Sequence, residues 1–164
     1  MSGFNNTSNL PIFKKAELIF KLVESLISSL PEEDDYIQST KHFMREDSMM
    51  LSTKIAGAEA GDLYSIRMQN AAIIRDHAMH LYTQVGSLRM HENYKELEYV
   101  DLIRQEIDAF RLLFVEWIEG FDTTNHIWDD WGLFNPPGAL PPSENDWDDN
   151  TPFDPNDFFE DDDE

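Results

Sequence analysis

The chain has 164 residues, no cysteine, and 33 Asp and Glu against 12 Lys and Arg, for a net charge of −21. That length suits one domain with an appendage, and the missing thiols exclude a disulfide framework and thiolate metal ligands. The charge disfavours direct contact with nucleic acid, which needs Lys and Arg to neutralise phosphates.

Residues 1–10, rich in Asn and Ser, read as a flexible N-terminus. The opening MSGFNNTSNLP has neither a basic region nor an apolar core, so no signal peptide is expected. No run approaches the ~18 uncharged apolar residues that a membrane span needs. The expectation is a soluble, cytoplasmic protein with no membrane partner.

Pro11 suits the first turn of a helix. Phe13, Ala16, Phe20, Val23, Ile27 and Leu30 then step by three or four, with Leu18, Leu22 and Leu26 widening the face. Pro31 stops this first helix. After the acidic turn PEEDD, Asp34 or Asp35 can cap a second helix. Its stripe is Ile37, Met44, Ser48, Leu51, Ile55 and Ala58, with Met49 and Met50 beside it.

Gly57 and Gly61 interrupt the helical pattern, and Asp62 follows as a capping residue type. The three mark a turn between the second and third helices. A single unbroken helix would run about 55 residues, roughly 80 Å, which the first helix could not match. The third helix is predicted from about Asp62 to Leu88. Its stripe reads Leu63, Ile66, Asn70, Ile73, His77, Leu81, Gln84 and Leu88, and Asn70, His77 and Gln84 are expected to fix register or sit at a wet edge. Past the connection RMHEN, Val100, Ile103, Ile107, Phe110, Phe114, Trp117 and Phe121 alternate steps of three and four. The opposite face carries Asp101, Arg104, Asp108 and Arg111, a solvated surface. These signals predict an all-α fold: an up-down-up-down antiparallel four-helix bundle over residues 11–122.

Residues 1–122 hold all 12 bases against 20 acids, whereas residues 123–164 hold 13 acids and no base, which sets a boundary near Asp122. In residues 123–142 the helical pattern collapses among Pro136, Pro137, Pro141 and Pro142. Trp128, Trp131, Leu133 and Phe134 are too apolar for a plain linker, so this piece is expected to fold back on the bundle. Residues 143–164 mix Trp147, Phe153, Phe158 and Phe159 with eleven acids and no apolar period, the composition of an irregular tail that is disordered when alone.

The order of elements in residues 12–122 resembles the small four-helix-bundle family that includes the protein encoded by intervening sequences in bacterial 23S ribosomal RNA. The accessory protein of diversity-generating retroelements belongs to the same structural group. The turn at Leu30 to Glu33 matches, as does Ile-Ala-x-x-Glu-x-Gly at Ile55 to Gly61. The family's Asn-Ile-Ala-Glu-Gly is here Lys54-Ile55-Ala56-Gly57-Ala58-Glu59-Ala60-Gly61, with two residues inserted, and the basic run that usually follows is missing. The resemblance implies a scaffold that forms ring-like oligomers and in some members binds nucleic acid. It carries over no catalytic residue.

Candidate chemistry is thin. A di-metal bundle needs Glu-x-x-His on two helices, which does not occur. His77 and His80, with Asp76, and His42 with Glu46 are the nearest approach to ligand sets. There is no nucleophile elbow and no phosphate loop. The sequence therefore predicts no metal, no cofactor and no enzyme. Arg67, Arg75, Arg89 and Arg104 are the best candidates for a nucleic-acid face. The favoured expectation is a scaffold or adaptor, oligomeric in its own right. It would engage a protein partner with a basic surface through Trp147, Phe153, Phe158 and Phe159. The alternative is a nucleic-acid-associated bundle autoinhibited by the acidic tail.

Overall fold

A computed structural model describes residues 4–143 apart from Glu33 and Asn93. Trp147, Phe153, Phe158 and Phe159 lie outside the described residues, as does the expectation of disorder over most of residues 143–164. The described fold is all-helical. A short turn, Phe4–Thr7, precedes four helices: α1 (Pro11–Ser29), α2 (Asp35–Glu59), α3 (Tyr64–Ser87) and α4 (Leu97–Glu119). A 3₁₀ turn, Leu88–Met90, extends α3. Each helix packs on its neighbours in sequence, and α4 closes the ring against α1, giving an up-down-up-down bundle.

The helix ends follow from local chemistry. Pro11 stands at the start of α1, where its missing N–H has no partner to lose. Asp34, rather than Asp35, caps α2: its carboxylate accepts from Tyr36 N at 2.9 Å. Asp62 does not cap α3, contrary to the sequence reading. Leu63 holds the cap position and makes no side-chain bond there. The Tyr64 N–H is met instead by the Asn125 carbonyl at 2.9 Å, so the segment after α4 closes this helix end.

Two helices bury the faces their sequences specify. In α2, Ile37, Met44, Ser48, Leu51, Ile55 and Ala58 are all buried, joined by Thr40 and Asp47. In α4, Val100, Ile103, Ile107 and Phe110 are buried, while Phe114 and Trp117 pack partly exposed beyond them. The α1 face is the expected one in large part: Ala16, Val23, Leu26, Ile27 and Leu30 are buried, joined by Ile12 and Ile19, while Phe13 and Phe20 are half-buried and Leu18 is exposed.

The α3 stripe is a correction. Tyr64, Ala71, Ile74, Ala78, Leu81 and Val85 face the core, and Ile66 is 49% exposed. Of the expected stripe only Leu81 and Leu88 are buried. The physical reason is that Asn70, His77 and Gln84 need polar partners. The helix is rotated so that all three lie on its flank, in keeping with the wet edge expected for them, where their polar atoms find partners.

Candidate functional site

The segment after α4 gathers the most exposed large apolar side chains among the described residues outside the helices. Its base is fixed by a polar cluster at the α2–α3 turn. Glu59 Oε1 accepts from Arg67 Nη2 at 2.5 Å and from Trp117 Nε1 at 2.7 Å. The Arg67 guanidinium lies 4.3 Å over the Phe121 ring, which in turn meets Trp117 edge-on. Just past the end of α4, Phe121 is thus seated in a small apolar cluster with Tyr64 and Ala71. From there the chain turns at Asp122, whose Oδ1 accepts from both the hydroxyl and the N–H of Thr124. These bonds hold the Asp122 carboxyl below the usual carboxylate range.

Asp129 then builds a loop. Its Oδ1 accepts from Trp131 N at 3.0 Å, and its Oδ2 from Leu133 N and Phe134 N at 2.9 Å each. Asn135 clamps the same residue through two bonds to the Asp129 backbone. Gly132 takes φ 72°, the left-handed conformation that the reversal needs and that glycine adopts freely. The Asp129 carboxyl is lowered, chiefly by the Phe134 N–H, with those of Trp131 and Leu133 adding. The result is a braced loop that displays its apolar residues. Trp131 is 91% exposed and Leu133 74% exposed, with Ile127 and Leu140 also in solvent. Trp128 and Phe134 are half-buried and Pro136 is buried, so this segment both rests on the bundle and presents side chains away from it.

Of the turn residues read from sequence, Gly57 and Gly61 differ in role. Gly57 lies within α2, where a Cβ would meet Asn70 Oδ1 at 3.2 Å, a close helix crossing. Gly61 lies in the linker and a Cβ there would meet nothing within 4 Å. Asp62 is exposed, with Arg67 3.9 Å away. The chain does turn between Glu59 and Tyr64, where Gly61 and Asp62 lie, but Gly57 belongs to the helix before the turn and marks a tight approach rather than a reversal.

Two further features were not legible as such. An apolar groove of about 480 Å³ runs between α3 and α4, lined by Met79, Tyr82, Phe114 and Val115 with Arg75 and Arg111 among its borders. Buried between α2 and α3, Asp47 accepts from His77 Nδ1 at 2.8 Å and His80 Nδ1 at 2.6 Å, and Gln84 Nε2 meets His80 Nε2 at 3.2 Å. A carboxylate only accepts, so both rings donate through Nδ1–H. The signal for Asp47 was available: Ile37, Thr40, Met44, Asp47 and Leu51 alternate steps of three and four. Among the described residues no group of three or more His, Asp or Glu is arranged to hold a metal ion. His42 and Glu46 face solvent 3.9 Å apart.

The arginines proposed for a nucleic-acid face are mostly engaged. Arg67 pairs with Glu59 and Arg89 with Asp101. Arg104 lies 3.8 Å over the Tyr82 ring. Arg75 borders the groove. No helix among the described residues is long and apolar enough to cross a membrane. Comparison with protein-family models, curated proteins and solved structures finds no match.

Proposed function

We propose that the protein is a non-enzymatic, cytoplasmic helical-bundle adaptor that engages a basic protein partner through its acidic, aromatic-bearing C-terminal segment. The observation that carries this reading is Trp131, 91% exposed on a loop that its own Asp129 braces. An exposed Trp beside an exposed Leu works against solubility unless a partner covers them. Holding the loop in shape before contact lowers the ordering cost of binding. Residues 123–164 contain 13 acids and no base, so a partner with a positive rim is steered toward these anchors. Trp147, Phe153, Phe158 and Phe159 extend the same chemistry along the sequence. The resemblance to a scaffold family agrees with this role. The alternative of a nucleic-acid-binding bundle draws less support, because Arg67, Arg89 and Arg104 already have partners within the fold.

The test is affinity capture from a lysate of the source cells with the full chain, with Trp131→Ser, and with Phe158→Ser/Phe159→Ser. A partner retained by the native chain should be lost with Trp131→Ser and weakened by the double substitution. Equal recovery with all three proteins would remove the apolar anchors from the account. Recovery that falls only with added salt would leave charge alone.

A further inference from the structure

We propose that the Asp129-braced loop of one chain docks into the α3–α4 groove of a second copy, joining copies head to tail. This rests on the same loop as the adaptor reading but adds a receptor for it. The groove is about 480 Å³, a size that takes a compact apolar body, and Met79, Tyr82, Phe114 and Val115 supply an apolar lining. Met79 and Val115 are left exposed by the fold, at 54% and 44%. Two exposed guanidiniums, Arg75 and Arg111, border the groove, with Asp108 also on its lining. Among the described residues neither arginine pairs with a carboxylate, whereas Arg45, Arg67 and Arg89 all do.

The loop has the complementary character. Trp131 and Leu133 project an apolar tip, Asp130 stands beside Trp131, and no Lys or Arg occurs in residues 123–143. Within one chain the two surfaces are separate. The loop lines a shallow hollow with Leu63, Ser65 and Gln69 at the start of α3, and no residue lines both that hollow and the groove. Because the brace fixes Trp131 in solvent, the groove it fills belongs to another molecule. A contact between two different surfaces is heterologous, so each copy offers one tip and one groove.

Sedimentation velocity of the full-length protein over a concentration series at physiological salt tests this. The native chain should self-associate. Trp131→Ser/Leu133→Ser, which removes the tip, and Met79→Glu/Val115→Glu, which spoils the groove at exposed positions, should each be monomeric with unchanged helical circular dichroism. Mixing these two variants should yield a one-to-one dimer and nothing larger, since only one intact tip and one intact groove remain in the pair. A native chain that stays monomeric overturns the proposal, as does a mixture that stays monomeric. If the groove variant is monomeric while the tip variant still associates, residues 144–164 or another segment fills the groove, and the proposal also fails. The groove variant keeps the loop, so it should still capture the foreign partner. Loss of self-association with capture intact separates this inference from the adaptor reading, and a monomeric native chain whose capture depends on Trp131 would leave that reading standing alone.

Discussion

Asp47 shows how one residue can fix the rotation of a helix. Its side chain is 5% exposed, and its two oxygens serve two imidazoles one helical turn apart on α3. A substantial rotation of α3 would draw at least one of the two rings away from the carboxylate. Removing the carboxylate leaves two donors facing a largely buried site, and His80 is open enough to recruit water. Asp47→Ala should therefore cost about 1–3 kcal/mol, the range for an orphaned buried hydrogen-bonding group, read as a lower urea midpoint. A change within ~0.5 kcal/mol, usual for surface substitutions, would mean the cluster does not hold α3. The two glycines give a second comparison. Gly61→Ala meets open space at an unstrained φ and should stabilise by about 0.4–1 kcal/mol through the unfolded chain. Gly57→Ala gains helix propensity but must displace Asn70, whose amide is bonded to the Ile66 carbonyl. It should gain less than Gly61→Ala or lose stability, and the two midpoints measured side by side decide it. The sequence alone treated the pair as equivalent, because spacing shows where glycines fall and not what they face.

At the scale of elements, α4 and the turn after it carry a run of rings: Phe110, Phe114, Trp117 and Phe121, with centroids 4.8–6.5 Å apart from one to the next. Phe110 is 2% exposed, Phe114 and Trp117 are partly exposed, and Phe121 is buried again in its own small cluster. Phe110→Ala should cost about 3–5 kcal/mol, as deep aromatic truncations do. Phe114→Ala should cost less, since its ring already borders the open groove. The reverse order in urea unfolding would contradict the assigned face. The face of α4 was legible because its stripe is apolar throughout, and that of α2 because Ile37, Met44, Leu51 and Ile55 set its spacing, although Thr40 and Asp47 on the same face were not read as buried. The α3 face was not, because Ala71 and Ala72, then Ile73 and Ile74, place apolar side chains on two adjoining faces. Periodicity then fits either rotation, and the choice falls to contacts far away in sequence, above all with Asp47. The loop after α4 was legible as irregular, and its aromatics as unsuited to a linker. Its display of Trp131 was not, because that depends on three backbone N–H groups converging on one carboxylate.

For the whole molecule, charge sets the response to pH and salt. At −21 the fold works against its own repulsion near neutral pH. Carboxyls of ordinary affinity take up protons as the pH approaches about 4, and each proton relieves that repulsion. Asp34, Asp122 and Asp129 behave differently. Asp34 is held low first by its bond to His91 and then by the Tyr36 N–H, Asp122 by Thr124, and Asp129 by its loop amides. A carboxyl whose folded value is depressed binds its proton more weakly in the folded chain than in the unfolded one. It contributes stability above the unfolded value of about 4 and loses that contribution as the pH falls through the lower folded value. The two effects therefore act in sequence. From pH 7 to about 5 the urea midpoint should hold or rise as repulsion eases, and below about 4 it should fall as the bonded carboxylates protonate. Added NaCl screens the same repulsion, so it should raise the midpoint at pH 7 by more than at pH 5. A midpoint that declines steadily from pH 7, or one that salt lowers at pH 7, would mean that ion pairs such as Lys15–Glu106 and Arg45–Glu24 outweigh the excess of acids. In that case the excess charge of residues 123–164 would weigh little on the stability of the bundle, and its effect would be felt chiefly by the partners those residues meet.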